Sequence, residues 1–76
     1  MRVLVRNGSH VEVILVNYAC AEDSCLHVQD VLGDRYVVPG FESNDEVCDC
    51  LKKLFADGFY DFSTRGSVMY CEGGDC

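Results

Sequence analysis

The spacing of hydrophobic positions changes along the chain. Residues 3–18 (VLVRNGSHVEVILVNY) and 26–38 (LHVQDVLGDRYVV) alternate or run apolar in the manner of strands. Between 43 and 58 the spacing lengthens to that of a helix. In SNDEVCDCLKKLFADG, Val47, Cys50, Leu51, Leu54 and Phe55 form one apolar stripe. Ser43 is placed to cap the first turn, with Glu46 reaching back as a capping box. Asp45 and Glu46 put negative charge where the helix dipole favours it. Gly58 supplies the left-handed residue that ends the helix. The pattern predicts a helix over 44–57.

Asn7-Gly8 marks a hairpin within residues 1–18. A loop formed by Arg6-Asn7-Gly8, with Gly8 left-handed, puts Val3, Val5, Val11, Val13 and Leu15 on one face and sets Arg2 opposite Glu12. Ile14 and Val16 then lie on the reverse side, which places the second strand inside the sheet. Cys20 to Cys25 reads as an acidic loop. Residues 26–31 and 35–38 read as a second hairpin turned at Gly33-Asp34 and ended by Pro39-Gly40. Residues 59–62 begin a further strand, 67–71 form a last short one, and 72–76 make a loose tail. The sum is a single-domain α+β fold: an antiparallel sheet of about four to five strands, built from hairpins, with one helix packed on one face.

Composition narrows the function more than the fold. At 76 residues and 49 % apolar, the chain has room for one core and is not a disordered tail. Its formal charge of −7 argues against direct binding to nucleic acid or an anionic membrane, both of which require a basic surface. No apolar run approaches the roughly 20 residues that span a bilayer. The N-terminal segment is broken by Arg2, Arg6, Asn7, Gly8, His10 and Glu12 and carries no signal-peptide core. The chain reads as cytosolic.

Cysteines fall as Cys20 and Cys25, Cys48 and Cys50, Cys71 and Cys76. In a cytosolic setting they are reduced, with Cys48 and Cys50 serving as small hydrophobes at the edge of the core. The alternative is a zinc-binding module, four thiolates from Cys20, Cys25, Cys71 and Cys76 meeting around one ion, at a spacing wider than the usual tight CxxC turn. His10 and His27 stand outside any catalytic motif, and there is no phosphate loop, nucleophile elbow, HExxH or dinucleotide fingerprint. No cofactor and no enzymatic activity are expected. The remaining feature is acidic. Glu42, Asp45, Glu46 and Asp49 gather at the start of the helix, and Asp57 and Asp61 lie at its far end. Lys52 and Lys53 interrupt the patch, and Asp49 and Lys53 stand at ion-pair spacing. Phe59, Tyr60 and Phe62 beside this surface supply aromatic anchors.

The run HVQDVLGDRYVVPGFESNDEVCDCLKKLF, passing from hairpin into capped helix in a short acidic chain without an enzyme motif, resembles the small phage-encoded inhibitor proteins of the anti-CRISPR type. No shared motif carries a family site onto these residues. The resemblance implies an interaction protein in the host cytoplasm that occupies the basic DNA- or RNA-binding groove of a host complex. The acidic helix face and the aromatics beside it, rather than the resemblance, supply the expected contact residues: Glu42, Asp45, Glu46, Asp49, Asp57, Phe59 and Tyr60.

Overall fold

The computed structural model describes residues 1–71, and the side chains of residues 1–70. The expected tail, residues 72–76, lies outside them. The chain is α+β, with one helix on a six-stranded sheet whose order is β5-β1-β2-β3-β4-β6. The strands are β1 (Arg2–Asn7), β2 (His10–Glu22), β3 (Cys25–Asp30), β4 (Arg35–Val38), β5 (Phe59–Asp61) and β6 (Met69–Cys71), and the helix is α1 (Asn44–Asp57). The sheet is larger than expected and mixed, because β5 lies parallel to β1 at one edge while the other pairs are antiparallel.

The first hairpin turns at Gly8-Ser9, with Asn7 opposite His10. Gly8 takes φ 62° and Ser9 does not have positive φ, as in a two-residue loop that needs glycine at its first position. This corrects the register read from sequence. Val3 stands opposite Ile14, and Arg2 opposite Leu15 rather than Glu12. Val3, Val5, Ile14 and Val16 face the core, whereas Val11, Val13 and Leu15 point to the outer, solvent face. The physical reason is period two. The observed turn differs from the expected one by an odd number of residues, which moves every side chain of the second strand to the opposite face. A bulge at Asn17 then shifts the phase of β2, so the inward positions become Ala19 and Ala21.

Cys20 to Cys25 is not a loop. β2 runs on to Glu22 and turns through Asp23 and Ser24, both left-handed at φ 53° and 59°, directly into β3. The next hairpin turns over residues 31–34 with Gly33 at φ 92°, as its sequence indicated.

The sheet curls until its ends almost meet. Phe62 N–H donates to the Leu4 carbonyl and Val68 N–H to the Arg6 carbonyl, so residues 62–68 begin and end on the free edge of β1. Met69, the very next residue, pairs with Val37 of β4. α1 packs inside this curl against β2, β3 and β5. Val47, Cys50, Leu51 and Leu54 are buried there with Val3, Val5, Leu26, Val28, Phe41 and Phe62. Phe55, expected in the apolar stripe, is 56 % exposed. It falls at the rim of the stripe, beyond the curled sheet. Among the described residues no buried side chain is polar or charged, and no helix is long and apolar enough to cross a membrane.

Candidate functional site

The helix start is built as the sequence implies, with one shift. Ser43 is extended and its Oγ accepts from Glu46 N–H at 3.3 Å, while Glu46 Oε1 accepts from Glu42 N–H at 3.1 Å, one residue before the cap. Gly58, at φ 73°, closes the other end by donating its N–H to the Leu54 carbonyl.

Glu46 does not belong to the exposed acidic surface. The same Oε1 lies 3.3 Å from Arg65 Nη1, and the Arg65 guanidinium sits 4.6 Å from the centroid of the Phe41 ring. The carboxylate is half-buried and its charge is compensated on the spot, whereas Glu42, Asp45 and Asp49 are exposed. Asp57 is exposed as well, but twelve residues beyond Asp45 it stands about 18 Å away along the helix axis. It is not part of the same cluster. Among the described residues the ion pair formed is Glu46–Arg65, so Asp49 and Lys53 do not make the pair their spacing allows.

A second acidic segment joins the helix start instead. Asn44 Oδ1 accepts from Ser24 N–H at 2.6 Å, which fastens the β2–β3 turn against the first turn of α1. Asp23, exposed in that turn, is thereby brought to the helix start that carries Glu42, Asp45 and Asp49, whereas Glu22 points to the outer face of the sheet. Sequence reasoning assigned these two carboxylates to a solvated loop. The available signal was Asp23-Ser24 itself, two residues that tolerate the left-handed turn.

The aromatic residues do not form one anchor. Phe59 and Tyr60 are consecutive in β5 and therefore point to opposite faces of the sheet. Phe59 is on the outer face, in register with Arg2. Tyr60 is half-buried beside the helix, its ring centroid 4.5 Å from that of Phe62. Tyr60 Oη and the Cys50 thiol are hydrogen-bonded at 3.5 Å, and this contact, with burial, raises the tyrosine above its usual ionisation range. Phe62, expected as an exposed anchor, is fully buried, because its backbone continues along the free edge of β1 and its ring meets Phe41.

Elsewhere, Tyr18, Cys20, Glu22, His27, Gln29 and Arg35 line a shallow cleft of about 190 Å³ on the outer face of β2, β3 and β4. Cys20 stands directly opposite His27 in the ladder, yet no hydrogen bond joins thiol and imidazole, the contact that activates a cysteine nucleophile. Cys25 is opposite Glu22, so it shares a face with Cys20 but sits on the diagonal, about 7–8 Å off and beyond disulfide reach. The remaining thiols of the four-cysteine zinc arrangement, the Cys71 side chain and Cys76, lie outside the described residues. Among the described residues no three histidine, cysteine or carboxylate groups converge as metal ligands. Compared with known proteins, the chain matches no family model, no curated protein and no solved structure.

Proposed function

We propose that the chain is a non-enzymatic binding protein that inhibits a host nucleic-acid-processing complex by occupying its nucleic-acid-binding groove. The observation that carries this reading is the Ser24–Asn44 hydrogen bond. It brings exposed Asp23 to the helix start, where Glu42, Asp45 and Asp49 are exposed, while Arg65 compensates the carboxylate of Glu46. A cluster of exposed carboxylates offers a basic groove negative charge, and with it electrostatic steering and a dependence on salt.

The test is inhibition of DNA binding by a panel of purified RNA-guided nuclease complexes. The wild-type chain should block at least one, less well as salt rises. Reversing Asp23, Asp45 and Asp49 to lysine should abolish the block while circular dichroism stays unchanged. A folded reversal variant that inhibits at full strength would remove the acidic cluster from the mechanism. Failure to inhibit any complex in the panel would remove the function.

A further inference from the structure

β2 changes partners along its length. His10 to Leu15 pair with β1 on one edge, and from Val16 onward the strand pairs with β3 on the other. The β3-side edge of the first half therefore carries no strand. Val16 N–H donates to the Met1 carbonyl on the β1 side, while the Leu15 carbonyl accepts from Val31 N–H on the opposite side. Alternation along an antiparallel ladder then turns the backbone groups of Glu12 and Ile14 toward β1 and those of Val11 and Val13 outward. Among the described residues nothing meets these outward groups. The side chains are open too, Val11 at 50 % and Val13 at 59 % exposure. β5 and β6, the outermost strands of the sheet, are kept to three residues each, a usual way of blunting an edge. The β2 edge is neither shortened nor blocked by proline or lysine.

We infer that this edge pairs with the same edge of a second copy, β2 against β2, antiparallel about a two-fold axis at Val11. Three registers would engage the free groups, and two are disfavoured. An axis at Val13 requires the Leu15 carbonyl, which Val31 already occupies. An axis at Glu12 sets two Glu12 carboxylates directly opposite each other, where like charges repel. An axis at Val11 sets His10 opposite Glu12 of the second copy, and does so twice. Glu12 Oε1 accepts from Asn7 Nδ2 at 3.4 Å, which leaves its other oxygen for the imidazole. Val11 then meets Val11 on the outer face, and Val13 meets Ser9. The two curled sheets become one continuous sheet, with both acidic clusters at its distal ends.

The test is sedimentation of the full chain under reducing conditions, which excludes disulfide-linked dimers, at concentrations up to about 1 mM. The wild type should approach twice its 8.5 kDa mass. Hydrogen exchange at the Val11 and Val13 amides should slow at least tenfold between dilute and concentrated samples. His10→Glu should weaken association at least tenfold, and the exchange variant His10→Glu with Glu12→His should restore it. Glu12→Gln separates the registers: it weakens a dimer centred on Val11 and strengthens one centred on Glu12. Circular dichroism confirms that each variant is folded. A chain that stays monomeric throughout overturns the inference. So does a dimer whose Val11 and Val13 amides exchange freely, or one that Glu12→Gln strengthens.

Discussion

Asn44 Oδ1 lies 2.6 Å from Ser24 N, and through this contact the first residue of the helix holds the tip of the β2–β3 hairpin. Removing it should loosen the hairpin tip without unfolding the domain. Asn44→Ala loses a hydrogen bond worth about 0.5–1.5 kcal/mol. Alanine is also the better helix former, by up to about 0.7 kcal/mol, so melting temperature is a blunt measure here. Amide exchange at Ser24 is the sharp one and should accelerate. Unchanged protection would mean that the strand pairing alone orders the turn.

Two leucines of similar chemistry should behave in opposite ways. Leu54 is fully buried between helix and sheet, and Leu54→Ala should cost about 2–5 kcal/mol, a large share of a small domain's stability. Leu15, on the outer face at 53 % exposure, should cost no more than about 0.5 kcal/mol on the same change. Urea unfolding of both variants checks the hairpin register, because the register expected from sequence alone would bury Leu15.

Arg65 serves two partners, the Glu46 carboxylate and the Phe41 ring. Arg65→Met keeps the apolar stem and removes both interactions, for an expected loss of about 0.5–2 kcal/mol. A double-mutant cycle with Glu46→Gln isolates the ion pair. Its side chains are 26 % and 34 % exposed, so the coupling should fall within about 0.2–1 kcal/mol. A coupling near zero would assign the whole loss to the aromatic contact.

Asp61 gives the domain an acid limb. Its Oδ1 accepts from Ser63 Oγ–H at 2.6 Å and Ser63 N–H at 2.8 Å, and these bonds hold the carboxyl below the usual aspartate range. With the folded value depressed, the unfolded chain binds the proton first. The contribution is therefore full above the unfolded value and lost as pH falls through the folded one. Asp61→Asn should flatten the fall in urea midpoint between about pH 5 and pH 2. A parallel acid limb in the variant would place the dependence on other carboxylates.

The helix was legible because each of its signals is local. Ser43, Gly58 and the stripe of Val47, Cys50, Leu51 and Leu54 all lie within one element, and the structure keeps each of them. The first hairpin was not, because VEVILV is apolar on both phases and a period-two pattern cannot choose between Val13 and Ile14 as the inward residue. That choice is made by the turn at Gly8 and by what covers the sheet. The candidate surface divides in the same way. Glu42, Asp45 and Asp49 are exposed as expected, since they lie opposite the buried stripe. The loss of Glu46 to Arg65, and the gain of Asp23, depend on contacts across about twenty residues of sequence. Phe59, Tyr60 and Phe62 were divided between two faces by the parallel pairing of β5 with β1, a pairing no local signal announces.

The return of residues 62–68 along β1 also sets the order of assembly. Val68 bonds to Arg6, so the edge of β1 is completed by a segment about sixty residues further along the chain. The hairpins and the helix, whose contacts are close in sequence, can form without this closure. Long-range closure of this kind is slow to form and adds little to the folding nucleus. It acts instead on the reverse rate: a clasp made after the transition state slows unfolding. The closing segment is thus a determinant of how long the native state lasts, more than of how fast it is reached.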